Sequence, residues 1–141
     1  MTRTDTERRN LATVERWAEL YNSDVERMVR ECYTPDCVVE VKNGITFRGH
    51  VTFAAVELGV HRVAPRRRAE VLATIATGDT VVVHGLLTDP DRGADFASRY
   101  CAVLTFRDGL IARDESYLDL RVWPDPGLSR EQWATLDVLG R

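Results

Sequence analysis

At 141 residues, with 44% hydrophobic and 29% charged side chains, the chain has the make-up of one ordinary globular domain and not of a disordered polypeptide. A formal net charge of −3 without a broad basic excess argues against nucleic acid as a partner. No stretch approaches the ~20 apolar residues of a membrane span.

The polar start, Met1-Thr2-Arg3-Thr4-Asp5, has no apolar centre and does not read as a signal peptide. Thr4-Asp5-Thr6-Glu7 has the spacing of a capping box. Leu11, Val14, Trp17, Ala18 and Tyr21 then recur at helical spacing as one apolar face. Asn22-Ser23 ends this helix. Ser23-Asp24-Val25-Glu26 reads as a second capping box, opening a helix with Val25, Met28, Val29 and Cys32 inside. Tyr33-Thr34-Pro35-Asp36 reads as a turn, because proline cannot continue a helix.

Residues 37–41 are rich in β-branched side chains and predict a strand. Asn43-Gly44 is a hairpin turn signal, with a short return strand over 45–47. Gly49 breaks the chain before a third helix over 50–63. That helix is apolar on nearly every side and should be sandwiched between other elements. His50 and His61 share one side of it about 16 Å apart at 1.5 Å per residue, too far to hold one metal. The run Arg66-Arg67-Arg68 suits a solvated strand start, although clustered arginines also hold phosphates or carboxylates.

Four strands follow. Residues 67–76 alternate, with Ala69, Val71, Ala73 and Ile75 on one face. Gly78-Asp79 turns into a strand over 80–88, and a polar loop leads to one over 96–106. Asp108-Gly109 turns into a last strand over 110–122. After the stiff Trp123-Pro124-Asp125-Pro126-Gly127, Ser129 to Gln132 caps a final short helix reaching residue 139. Helices segregated from an antiparallel meander define an α+β fold, in which a curved sheet wraps three N-terminal helices and leaves a cavity. Cys32, Cys37 and Cys101 are odd in number and widely spaced, so reduced thiols in a cytoplasmic protein are expected, without a disulfide framework or zinc site. Phosphate-loop, nucleophile-elbow and zinc-protease motifs are absent, and no cofactor is expected.

The local motifs carry a resemblance. Tyr21-Asn22-Ser23-Asp24, Tyr33-Thr34-Pro35-Asp36-Cys37-Val38, Phe47-Arg48-Gly49, and Phe106-Arg107-Asp108-Gly109-Leu110-Ile111 followed by Tyr117-Leu118-Asp119 stand in the order found in the SnoaL-like families of the nuclear transport factor-like, or cone, fold. The chain resembles these families over residues 8–122, with 123–141 as a C-terminal extension of a single domain. The families include cyclases, isomerases, dehydratases, epoxide hydrolases and non-catalytic binders, so the fold alone does not choose an activity.

Several of those chemistries lack their residues here. Limonene epoxide hydrolases place an aspartate where Ser116 stands, and a tyrosine and an asparagine at Val39 and Val41; their arginine-x-aspartate falls near His84-Gly85-Leu86-Leu87. Ketosteroid isomerases need an aspartate at Val41 and a tyrosine at Trp17. Of the scytalone dehydratase set, Tyr21 is retained and His84 lies near one histidine. The resemblance to SnoaL-like polyketide cyclases implies a late aspartate as general acid/base, and Asp114 matches by position. Strand alternation puts Ala112, Asp114, Ser116 and Leu118 on one face, with Arg113 and Glu115 as an outward polar pair. The expected function is therefore cofactor-independent acid/base catalysis on a hydrophobic, oxygenated small molecule. Asp114, His84 and Tyr21 would carry the chemistry, and Trp17, Val39, Val41, Phe53, Arg99 and Ser116 would bind substrate. Asp114 could instead be a solvated strand residue, His84 a core histidine, Trp17 and Tyr21 core packing, and Arg99 an outward ion pair; Asp119 reads as a structural cap. The alternative reading is a non-catalytic binding or dimerisation module. In either case a homodimer through the outer face of the sheet is expected.

Overall fold

The computed structural model describes residues 2–139; Met1 of the polar start lies outside them. Thr4 caps helix α1 (Asp5–Tyr21) with a full capping box to Glu7. Its buried side carries Asn10, Val14, Trp17, Leu20 and Tyr21. The Asn22 side chain beyond it donates to the Ala69 carbonyl (2.8 Å) and accepts from the Ala69 N–H (2.9 Å), fastening the helix end to a strand. Helix α2 (Val25–Cys32) buries the expected face. Asp24, not Ser23, is its cap and accepts from the Arg27 N–H, so Glu26 falls one residue short of completing a second capping box.

Strand β1 (Tyr33–Val41) begins earlier than the proline suggested. Its pairing is interrupted between Tyr33 and Val38, so the N–H that Pro35 lacks removes no ladder bond. The turn at Asn43 leads to β2 (Thr46–Arg48) and helix α3 (Gly49–Val63). α3 lies between other elements, as its apolar circumference suggested, and stays exposed along one narrow strip. It packs on β1 and α2 through Phe53, Val56 and Val60, and leaves Val51 and Val63 80% and 55% exposed.

The meander comprises β3 (Arg68–Thr77), β4 (Thr80–Thr88), β5 (Ala97–Arg107) and β6 (Leu110–Tyr117). A bulge at Leu72 in β3 switches faces: Ala69 and Val71 point inward, but Ala73 and Ile75 turn outward. β6 ends at Tyr117, five residues before the expected limit. There Asp119 caps a 3-10 turn over Leu120–Val122, accepting from the Arg121 N–H at 3.0 Å. The last helix, α4 (Arg130–Ala134), has the expected capping box but is short, and the chain returns as β7 (Val138–Leu139) on β2.

Among the described residues the sheet order is β3-β4-β5-β6-β1-β2-β7. All pairs are antiparallel except β1 with β6, which run parallel. The curved sheet closes on α1, α2 and α3, and the core fills its concave side through Tyr33, Phe47, Met28, Leu104 and Ile111. Among these residues no helix is long and apolar enough to cross a membrane.

Candidate functional site

A cavity of about 70 Å³ lies between the concave face of the sheet and the inner sides of α1 and α3. Its walls are largely apolar: Trp17 from α1, Phe53 from α3, Val39 and Val41 from β1, and Leu118 and Trp123 beyond β6. Into this lining project a few polar groups, the usual character of a small-molecule site.

Asp114 is one of them and is buried, 4% exposed. A bulge around Ala112 inserts one residue into β6, so that Ile111 and Asp114 both point inward. The Tyr33 hydroxyl donates to Oδ2 at 2.6 Å and the Ser116 hydroxyl to Oδ1 at 2.7 Å. Burial pushes the Asp114 carboxyl above the usual carboxylate range, and those two hydrogen bonds pull the other way. Each oxygen keeps lone-pair capacity toward the cavity.

A second group comes from the turn before β3. Arg67 is 5% exposed, its Nε donates to the Tyr21 hydroxyl oxygen at 2.9 Å, and its Nη1 donates to the Val122 carbonyl at 3.3 Å. Burial raises the Tyr21 phenol to about 12, so it stays protonated, and with its oxygen already accepting from Arg67 its own O–H is available to a ligand. Arg67 also ties α1 to the connector that carries Trp123.

Glu57 of α3 lines the same cavity. Its side chain is 15% exposed, but Oε2 is enclosed and accepts no hydrogen bond among the described residues. Burial lifts its carboxyl to about 7; Arg67 lowers it and Asp114 raises it further. His61, one turn on, donates from Nδ1 to the Glu57 carbonyl at 2.9 Å, and burial holds its ring below the ordinary histidine value. Tyr100 completes the polar set, with a buried hydroxyl that likewise lacks a partner among these residues.

Of the side chains anticipated from sequence, Asp114, Tyr21, Trp17, Val39, Val41, Phe53 and Ser116 meet in this cavity. His84 and Arg99 do not. Val81, Val83 and Leu87 of β4 point into the core, which turns His84 to the outer face, where Arg99 Nη1 donates to its Nε2 at 3.4 Å. Arg113 and Glu115 form the expected outward pair, 3.7 Å apart, with Glu40 and Lys42 beside them. Glu57, Arg67, Tyr33 and Tyr100 went unrecognised. A lone acid inside the apolar run of α3, and the middle arginine of three, were the signals available. Among the described residues no three His, Cys, Asp or Glu side chains converge as metal ligands.

The comparisons with known proteins agree with this architecture. A profile of the SnoaL-like domain matches residues 14–114, and the chain belongs to that family. A protein from Jannaschia sp. CCS1, assigned as a SnoaL-like polyketide cyclase, superimposes with a TM-score of 0.76 at 21% identity, covering 86% of this chain and 92% of that one. A Sinorhizobium meliloti protein assigned as a polyketide cyclase gives 0.65 at 24% identity, over 74% and 93% of the two chains. An epoxide hydrolase of the limonene type from M. tuberculosis gives 0.67 at 19% identity, over 86% of each. At such identities these structures establish the shared fold. No curated protein matches the chain by sequence.

Proposed function

We propose that the cavity is the active site of a cofactor-independent acid/base enzyme for a small, mostly apolar, oxygenated molecule, of cyclase, isomerase, dehydratase or hydratase type. The observation that carries this is the Asp114 carboxylate, buried, oriented by Tyr33 and Ser116 and facing an apolar cavity. Burial raises the proton affinity of a carboxylate so placed above its ordinary value, the direction that suits a general acid/base. Tyr21, backed by Arg67, supplies an O–H to polarise a substrate oxygen. The assignments of the Jannaschia and S. meliloti proteins support the same class of chemistry. His84 has no part in this reading, because it lies outside the cavity.

The test is turnover on a panel of small cyclic ketones, β-hydroxyketones and epoxides, with Asp114→Asn as the variant. A loss of at least ~100-fold with an unchanged circular dichroism spectrum is expected. Turnover near that of the wild type would remove Asp114 from the chemistry. Saturable quenching of Trp17 and Trp123 fluorescence by panel compounds, without turnover of any, would favour the binding-module reading instead.

A further inference from the structure

We propose that Glu57 is a second proton-transfer residue of this cavity, paired with Asp114 so that one carboxyl takes a proton from the substrate while the other gives one. The inference rests on the acid/base reading of the same site. Glu57 is the one acidic residue of α3, and an enclosed carboxylate oxygen without a hydrogen-bond donor is a costly thing to keep in a core.

The surrounding groups decide its protonation. From its own helix comes His61, whose Nδ1 is 3.6 Å from Oε2 but whose ring is held neutral by burial. From α1 and β1 come the phenols of Tyr21 and Tyr33, from β6 the Asp114 carboxyl, and from the turn before β3 the Arg67 guanidinium. The fixed positive charge of Arg67 thus bears on Glu57, in a cavity that a second carboxyl, Asp114, also lines. In an enclosed apolar site the charge left over is relieved by a proton held on one of them. Asp114 accepts two O–H donors, which favour its ionised form; Oε2 of Glu57 accepts none. Hydrogen bonding therefore favours the charge on Asp114 and the proton on Glu57, a base and an acid in one cavity. The value near 7 for Glu57 is close to what proton donation at neutral pH demands.

For a ketone the step balances without a co-reactant. Asp114 takes a proton from the α-carbon, the C–H electron pair forms the C=C bond, and the carbonyl oxygen takes the proton of Glu57. The neutral enol that results leaves the proton on Asp114 and the charge on Glu57, and the reverse step restores both.

The experiment follows α-hydrogen exchange of cyclohexanone in deuterated buffer by NMR from pH 5 to 9, in wild type, Glu57→Gln and Asp114→Asn. Carboxyl ¹³C titration of the wild-type protein runs alongside. Expected are a Glu57 carboxyl titrating near pH 7, exchange that declines above that pH as the acid form is lost, and about 100-fold slower exchange in both variants. Exchange that needs Asp114 but is indifferent to Glu57→Gln overturns this inference and leaves the acid/base reading standing. Exchange no faster than buffer in the wild type overturns that reading and this inference with it. Should Glu57→Gln fail to fold, the wild-type titration decides, and a Glu57 carboxyl already ionised at pH 5 overturns the proposal.

Discussion

Tyr100 shows how a single side chain at this site gives up stability for position. Its ring lies over its cross-strand partner Gly85, where a Cβ would come within 2.1 Å of the ring, so only glycine leaves room. Its hydroxyl is buried without a partner among the described residues. An unsatisfied buried hydroxyl costs about 1–3 kcal/mol, so Tyr100→Phe should leave the melting temperature unchanged or raise it. If the hydroxyl serves the ligand, the same variant should weaken turnover or fluorescence-detected binding. A fall in stability would show that it has a partner in solution. Residue-level reading of the sequence put Asp114 and Ser116 on the cavity side through their small and apolar neighbours; counting from the Asp108-Gly109 turn would have misplaced them, because the bulge at Ala112 resets the phase. The same reading failed for His84 and Arg99, since a one-residue choice of phase sends every side chain to the other face. It missed Glu57 because a helix with apolar residues on nearly every side offers no contrast from which to read the buried face.

Among the elements, the contact between α3 and the connector leading from β6 toward α4 determines one wall of the cavity. At Gly59 an added Cβ would lie 2.3 Å from the Pro126 carbonyl oxygen. In Gly59→Ala the helix gains about 1 kcal/mol of propensity, whereas a forced overlap of this kind costs about 1–3 kcal/mol. The net change in stability should therefore be small and negative. The larger effect should be displacement of the connector, seen as an altered Trp123 emission in a protein with Trp17 and Trp133 replaced by phenylalanine. An unchanged emission would mean that the helix, not the connector, yields. Turn and cap residues made most elements legible: Thr4, Asn43, Gly78, Gly109 and Ser129 each mark a boundary found in the structure. The Leu72 bulge and β7 were not legible, because an extra residue in a strand and a two-residue edge strand leave no periodic trace.

At the scale of the molecule, the outer face of the sheet presents an apolar row in register: Ile75 opposite Val82, Val82 opposite Val103, with Tyr117 beside Cys101. Ile75 and Tyr117 are 66% and 49% exposed. An isologous dimer would cover this row, and sedimentation equilibrium should find one that Val82→Lys converts to monomer. A wild-type monomer at high micromolar concentration would dismiss the dimer.

The connector has a consequence for how such a site changes over time. The region matched to the SnoaL-like domain ends at Asp114, while Leu118 and Trp123 reach the cavity from beyond it. Arg67 and Arg92 both donate to the Val122 carbonyl and hold that stretch in place. Substitutions in the tail can thus reshape what the cavity admits without touching the carboxyls inside it, so selectivity and chemistry are free to diverge at separate paces.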